Sequence, residues 1–519
     1  MTVRQAHPRI AARQQPDKAA LIFADSGEKI SYAELVENAD RAAQLFADLG
    51  VQEGDVIALF MENHLRFPEL CWAAKNSGIT YACISSQSNV EDACYIVENS
   101  DAKLLISSAQ LATTAVAVAR QLGDACQYLM VDAAVAPFAS YESTLSQYPT
   151  TPIPGRRRGP SMLYSSGTTG RPKGVRTPLP EEPPEQPPMR LALLEQQYGL
   201  DADTVLINPG PFYHAAPGRF MISLQRLGGT VIAFKKFDPE LTLKAIDHYG
   251  ASHGLFVPTM FTRLLRLDKA VRDAYTTASL RCVVHLAAPC PIAVKEQMIA
   301  WWGPILHEMY GGTEAVGHTF IDSHEWVRHR GSVGRPSGAC EVRIVDEQGN
   351  SLPPGEQGVV YMRNGNQFEY HKDADKTRGA FMDGGWATLG DIGYLDKEGY
   401  LYLTDRLAHM IVSGGVNIYP QEAENVLVNH PGIDDVAVIG VPNEDFGEEV
   451  KAVVVARKPA DDESALAADI IAYCRQHLSA IKCPRSVDFV DELPRNEAGK
   501  LVKRLLRDRY WRGRKSKLI

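Results

Sequence analysis

The stretch Ser165-Ser166-Gly167-Thr168-Thr169-Gly170-Arg171-Pro172-Lys173 gathers hydroxyls, glycines and a lysine into one short loop. Such a composition suits a polyanion. Glycines let backbone N–H groups come close to an anion. Ser165, Ser166, Thr168 and Thr169 offer hydroxyl donors, and Lys173 adds positive charge. The loop is not a Walker A sequence: Pro172 precedes the lysine and Gly174 follows it, where that motif needs Gly-Lys-Ser/Thr. On residue types alone it supports phosphate binding. A Ser/Thr/Gly surface loop is the other reading those types allow.

Other segments carry complementary chemistry. Tyr310-Gly311-Gly312-Thr313-Glu314 sets an aromatic face, a hydroxyl and a carboxylate side by side. Tyr310 can stack on a flat base. Glu314 offers the hard oxygens that Mg²⁺ prefers. Asp391 offers acceptor oxygens, and Arg406 a fork of donors. Lys500 closes Pro494-Arg495-Asn496-Glu497-Ala498-Gly499-Lys500 and could stabilise developing negative charge. It could equally open the basic tail that continues through Arg504, Arg507, Arg509, Arg512, Arg514 and Lys515. That tail reads as a solvated end segment or as a landing patch for an anionic ligand such as coenzyme A. His214, beside Tyr213, is either structural or functional.

In their order along the chain these segments resemble the adenylate-forming superfamily, which includes acyl-CoA synthetases, adenylation domains of peptide synthetases and firefly luciferase. The resemblance covers nearly the whole sequence. It implies a phosphate loop from Ser165 to Lys173 that includes Gly167 and Gly170. It places Ala288 beside adenine, Tyr310 and Gly311 at the base, and Thr313 at the α-phosphate. It makes Glu314 the Mg²⁺ ligand, and Asp391 and Arg406 the ribose partners. Ser413, Gly414 and Gly415 match the family's pantetheine tunnel. The catalytic set it implies is Lys500, His214, Thr313 and Glu314. Pocket positions by the same resemblance are Tyr213, His214, Phe220, Met260, Phe261 and His318, mostly large and apolar, which favours a hydrophobic acid. Departures are Ala408 at the family's hinge position, His285-Leu286 in place of Ser-Gly before Ala287-Ala288-Pro289, and the longer Thr388-Leu389-Gly390-Asp391.

The activity implied is that of an acyl-CoA synthetase using ATP, Mg²⁺ and coenzyme A on a small-molecule carboxylic acid. An acyl-AMP ligase loading a carrier protein, a luciferase-type oxygenase and a non-catalytic nucleotide- or acyl-binding regulator are the alternatives. Retention of both Glu314 and Lys500 speaks against the last.

The elements that must position these residues alternate. Ala20-Leu21-Ile22-Phe23 reads as a strand, and Asp25-Ser26-Gly27 as a turn. Ser31 and Glu34 have capping-box spacing. Leu35, Ala39, Ala42, Leu45, Phe46 and Leu49 then recur at helical intervals up to Gly50. Asp55–Phe60 and Lys103–Ile106 are short apolar runs, so layered α/β architecture with mostly parallel strands is expected. A proline-rich stretch over 178–188 predicts an exposed extended loop. Gly393–Leu395 and Tyr400–Leu403 predict a hairpin. The expected organisation is a large multi-subdomain N-terminal domain over 1–405 and a small mobile α+β domain over 406–519.

The 519 residues allow roughly three structural units. A net charge of −9 excludes a general nucleic-acid binder. Nine cysteines without a close CxxC pair argue against structural zinc and a disulfide framework. No signal-peptide pattern and no bilayer-length apolar run is read, so a cytoplasmic enzyme is expected. A homo-oligomer stays open.

Overall fold

Ser31 starts the first long helix as its spacing predicts. Its N–H donates to Glu34 Oε2 at 2.8 Å, and its hydroxyl oxygen accepts from the Glu34 N–H at 3.2 Å. The helix Tyr32–Asp48 buries Leu35, Ala39, Ala42, Leu45 and Phe46, and the chain then turns at Gly50 with φ of +78°. In front of it, Ala19–Phe23 and Lys29–Ser31 pair antiparallel.

These details come from a computed structural model that describes residues 5–165, 172–406, 409–413, 416–459, 462–495 and 501–512. The side chains of Ser165, Arg406 and Asn417 are also outside the description. So are Ser166, Gly167, Thr168, Thr169, Gly170, Ala408, Gly414, Gly415 and Lys500.

Two large sheets make up most of the chain. In one, Val56–Phe60 lies parallel between Thr80–Ile84 and Ala102–Ser108. Both Val56–Phe60 and Thr80–Ile84 are buried along their whole length. That is why they read as unbroken apolar runs: helices cover both faces of a parallel sheet. In the other, Thr230–Ala233, Val205–Asn208, His253–Phe256, Cys282–His285 and Leu306–Gly311 run parallel. His318–Asp322 closes on Leu306–Gly311 antiparallel. A third sheet holds Gly358–Arg363, Trp386–Leu395 and Leu401–Arg406. Its predicted hairpin turns at Gly399, with φ of +83°. Its flanks are clamped by Tyr394 and Tyr402, stacked at 4.9 Å between ring centroids.

The last part of the chain has its own sheet and core. Ile433–Asn443 and Gly447–Ala456 pair antiparallel, with Ser486–Phe489 parallel on the far side. Ile470 and Cys474 of the helix Glu463–His477 pack under this sheet with Leu427, Val438 and Val454. Contacts reach back to the rest of the molecule. Arg266 pairs with Asp434 at 2.7 Å and donates to its carbonyl at 2.9 Å. The Gln421 N–H donates to Asp405 Oδ2 at 2.9 Å.

The proline-rich stretch departs from expectation. Pro184 is buried, the Glu185 carbonyl accepts from the Ala6 N–H at 2.9 Å, and Arg226 donates to the Pro184 carbonyl at 2.8 Å. Prolines cannot donate, but their carbonyls remain good acceptors, so this segment serves as a docking edge for buried donors. All nine cysteines are unpaired thiols. Among the described residues no helix is long and apolar enough to cross a membrane.

Candidate functional site

The phosphate-loop candidate is bracketed by a hairpin. Ser161–Ser165 and Lys173–Arg176 pair antiparallel, with Ser165 opposite Lys173. The loop's two ends are therefore held together whatever lies between them. Lys173 projects its Nζ over the Tyr370 ring at 5.0 Å from the centroid. Burial and the neighbouring Lys376 pull its pKa below the ordinary lysine value, while Glu314 and Asp373 oppose that shift.

Tyr310 lies near the end of the strand Leu306–Gly311, and the chain leaves the sheet just beyond it. The segment that follows is anchored from four directions. Arg219 donates to the Thr313 carbonyl at 2.8 Å. The Tyr370 hydroxyl donates to Glu314 Oε1 at 2.9 Å. Asn364 and Asn366 both donate to the Ala315 carbonyl at 3.0 Å. Ala315 itself sits at φ of +55°, an uncommon region for a residue with a Cβ. Gly312 is closely approached by two side chains: a Cβ there would lie 2.6 Å from Leu389 and 2.7 Å from Glu314 Oε2.

The Tyr310 hydroxyl donates to Asp391 Oδ2 at 2.6 Å. Asp391 is buried at 4% exposure and faces Arg406 across the Trp386–Leu395 and Leu401–Arg406 pairing. The base-reading and sugar-reading candidates thus share one corner. Gly311 lies opposite His318 in the adjoining antiparallel pair. Ala288 follows the strand Cys282–His285 through Ala287, which adopts φ of +73°. The unusual His285 has a physical account. It is fully buried, 3.5 Å from Glu308, which Lys295 holds at 2.6 Å. Burial first, then Lys295, drives its pKa well below the ordinary value, so the imidazole is neutral.

His214 occupies the N-cap position of the helix Ala215–Leu227, without a side-chain capping hydrogen bond, and packs edge-on to Tyr213 at 4.7 Å. Its Nε2 is buried without a hydrogen-bond partner among the described residues. Burial lowers its pKa to about 4, so it is neutral near pH 7. It lines a tight cavity of about 10 Å³ with Phe67, Tyr81, Phe212, Arg219 and Ile222. Tyr213 abuts this site through its contact with His214. Phe220, Met260 and Phe261 sit elsewhere, in cores: Phe220 packs on Tyr198, and Phe261 on Phe256 and Trp302. His318 is half-buried, and burial lowers its pKa. Ser413 is buried and pairs with Val416 in the small sheet.

Residues 9–369 match the AMP-binding enzyme family, and residues 422–500 match the AMP-binding enzyme C-terminal domain. This chain belongs to the AMP-binding enzyme family. A feruloyl-CoA synthase of Amycolatopsis sp is 31% identical over 501 residues, covering 96% of this chain and 97% of that protein. A long-chain-fatty-acid–CoA ligase of Mycobacterium tuberculosis is 31% identical over 504 residues, with the same two coverages of 96% and 97%. The structure of ATP-bound MatB from Rhodopseudomonas palustris aligns with a TM-score of 0.83 at 30% identity, over 97% of this chain and 99% of that one. The chain is an acid–thiol ligase of the AMP-forming acyl-CoA ligase type, a class that uses ATP and coenzyme A.

In this AMP-binding enzyme the sequence reasoning passed over Arg219 and Tyr370. Arg219 sits five positions beyond His214 on the helix Ala215–Leu227. Tyr370 belongs to a two-residue strand that pairs with Lys173–Arg176. Neither has a local motif to announce it. A search for arginine within a turn or two of the aromatic-His segment would have found the first.

Proposed function

We propose that the protein activates a hydrophobic carboxylic acid as its acyl-adenylate and then transfers the acyl group to coenzyme A. In the first step a carboxylate oxygen attacks the α-phosphorus of ATP and pyrophosphate leaves. In the second the thiolate of coenzyme A attacks the acyl carbon and AMP leaves.

The observation that carries this reading is the anchored Thr313–Glu314 segment. Held by Arg219, Tyr370 and two asparagines, it lies between the Tyr310–Asp391 corner and the cavity lined by His214. In this proposal Tyr310 and Asp391 orient the nucleoside, and Thr313 donates to the α-phosphate. His214, neutral and with its Nε2 unpaired among the described residues, faces the reacting carboxyl. Fixed donors of this kind act where charge develops.

Mg²⁺ fits the residues present. Glu314 keeps Oε2 free of the Tyr370 hydrogen bond, and no cluster of three metal-ligating side chains exists among the described residues. A single carboxylate with phosphate oxygens and water is the usual Mg²⁺ arrangement in nucleotide sites. Such an ion supplies charge neutralisation at the phosphates.

Lys500 is assigned the adenylation half-reaction. The chain beyond Asp405 is assigned a second orientation for thioester formation, with Ser413, Gly414 and Gly415 along the thiol path. Two reactions through one site need such a rearrangement. The test is a panel of acids assayed for ATP–pyrophosphate exchange, then for AMP release with and without coenzyme A. Exchange with a hydrophobic acid, and AMP release that requires coenzyme A, is the expected result. AMP release indifferent to coenzyme A would overturn the thioester step.

A further inference from the structure

Two adjacent aspartates link the AMP-binding domain to the stretch that ends in Lys500. Asp434 and Asp435 follow Ile433 at the start of the strand Ile433–Asn443. The register shifts at this point. Ile433 lies opposite Ala456 and Asp435 opposite Val455, so Asp434 stands between them without a facing residue. Bulges of this kind re-aim a side chain and release its backbone from the ladder.

Arg266 uses both groups released. Its guanidinium meets Asp434 Oδ1 at 2.7 Å and Oδ2 at 3.2 Å, and it donates to the Asp434 carbonyl at 2.9 Å. Such a fork, across 168 positions of chain, has a fixed geometry that a lysine could not reproduce. Arg266 lies in the AMP-binding region and Asp434 in the C-terminal domain. Arg266 is itself firmly placed. It occupies the C-cap position of the helix Pro258–Leu265, whose Met260, Phe261 and Leu264 are buried in a core. A cation at that end also suits the helix dipole.

Asp435 has a different partner. Arg495 donates through Nε to its Oδ2 at 3.0 Å and through a terminal nitrogen to its Oδ1 at 2.8 Å. Arg495 forms a β-bridge with Leu501, and the Val502 N–H donates to the Pro494 carbonyl at 2.8 Å. Residues 496–500 therefore leave and rejoin the described chain at neighbouring points, and Lys500 directly precedes the anchored Leu501. Leu493 and Leu506 pack around this root with Ala437 and Ile439 of the strand. Neighbouring residues on one bulge thus hold the AMP-binding domain and the root of the lysine stretch. Turning the C-terminal domain away from Arg266 would carry that root with it.

We propose that Arg266 and Asp434 form a latch that selects the orientation for acyl-adenylate formation, and that Asp435 and Arg495 transmit it to the stretch bearing Lys500. All four are positioning residues, and none is assigned contact with substrate. The latch must also open, since the second half-reaction needs another orientation. Its partners, at 46% and 34% exposure, suit that. An ion pair so solvated shifts an equilibrium by up to about 5-fold, enough to bias two orientations without locking one. This inference rests on the two-orientation reading and on the assignment of Lys500 to the first half-reaction.

The test measures two single-turnover rates: acyl-adenylate formation from acid and MgATP, and thioester formation from supplied acyl-AMP and coenzyme A. The acid is the one among octanoate, dodecanoate and cinnamate that gives the fastest ATP–pyrophosphate exchange. The ratio of the two rates reads the balance between orientations, whatever the absolute rates. Arg266→Ala and Asp434→Ala should each lower the ratio by about 5-fold. The double variant should lower it no further, because both changes remove one interaction. Arg266→Lys keeps the charge without the fork and should fall between. Asp435→Ala should lower the ratio by slowing acyl-adenylate formation alone. A merely structural pair would slow both half-reactions together and leave the ratio where it was. An unchanged ratio in both single variants, or effects of the two that add, would overturn the latch. An unchanged ratio in Asp435→Ala would overturn its part in transmission. Lys500→Ala checks the reading beneath: acyl-adenylate formation that survives it would overturn the lysine's assignment. An inactive Lys500→Ala beside an unchanged ratio in Arg266→Ala would overturn the latch alone.

Discussion

Tyr370 holds Glu314: its hydroxyl donates to Oε1 at 2.9 Å across 56 residues of chain, while its ring lies under Lys173. One tyrosine thus fixes the separation between the lysine that ends the phosphate loop and the carboxylate proposed for Mg²⁺. Its two contacts can be removed one at a time.

Tyr370→Phe keeps the ring for Lys173 and deletes the hydrogen bond. A hydrogen bond to a charged group is worth roughly 1.5–3 kcal/mol, or about 10- to 100-fold. Exchange activity should fall by a factor in that range and require more Mg²⁺ for half-maximal rate. Tyr370→Leu should fall further, because Lys173 loses its ring as well. Magnesium titrations of exchange in both variants would check this. An unchanged Mg²⁺ response in Tyr370→Phe would detach the tyrosine from metal binding.

Lys500→Ala should abolish acyl-adenylate formation and spare thioester formation from supplied acyl-AMP. The expectation follows from the match of Pro494–Lys500 to the family's catalytic-lysine motif. Loss of about three orders of magnitude is the scale for a group that stabilises developing charge. Single-turnover assays of the two half-reactions separate the outcomes. Equal loss of both would remove the assignment.

Acid should destabilise the fold through its buried histidines. His7 is 2% exposed and accepts the Arg9 N–H, and burial lowers its pKa to about 3. Burial likewise lowers His214 and His307 to about 4. These groups stay neutral in the folded protein where the unfolded chain binds protons. Stability is therefore fully present above the ordinary histidine value of 6.5 and is lost as pH falls from there toward about 4. Each such histidine adds up to about 1.4 kcal/mol per pH unit in that window. Urea midpoints measured across it should decline, and His7→Gln should make the decline shallower. A midpoint insensitive to pH over that range would show that these histidines are not held neutral.

Local features were legible in the sequence, and contacts between distant segments were not. The Ser31–Glu34 capping box and the hairpin around Gly399 form from neighbours, and side-chain type at short spacing was enough to read them. Arg219 and Tyr370 meet their partners over 94 and 56 residues, respectively, so no window of sequence contains both ends. Apolar type also could not separate cavity wall from core. Phe212 lines the cavity, whereas Phe261 packs fully buried against Trp302. The burial of Pro184 was hidden for a related reason: the backbone carbonyl that Arg226 uses has no side-chain signature.

Gly312 separates activity from stability most sharply. Its position has no side-chain role, yet an added Cβ would fall 2.6 Å from Leu389 Cδ2 and 2.7 Å from Glu314 Oε2. Both are far ends of flexible side chains, so Gly312→Ala should fold. The methyl group gains its space by displacing Leu389 and Glu314 together. A carboxylate moved by about 1 Å can cost about 100-fold in rate. We therefore expect exchange activity to drop by about that factor while the urea midpoint changes little. Gly312→Ala with Leu389→Ala tests which neighbour matters. Relief of the leucine contact alone should restore only part of the rate, because the carboxylate remains displaced. Full restoration would mean that Glu314 never had to move, and would place the sensitivity at Leu389 beside the Asp391 corner.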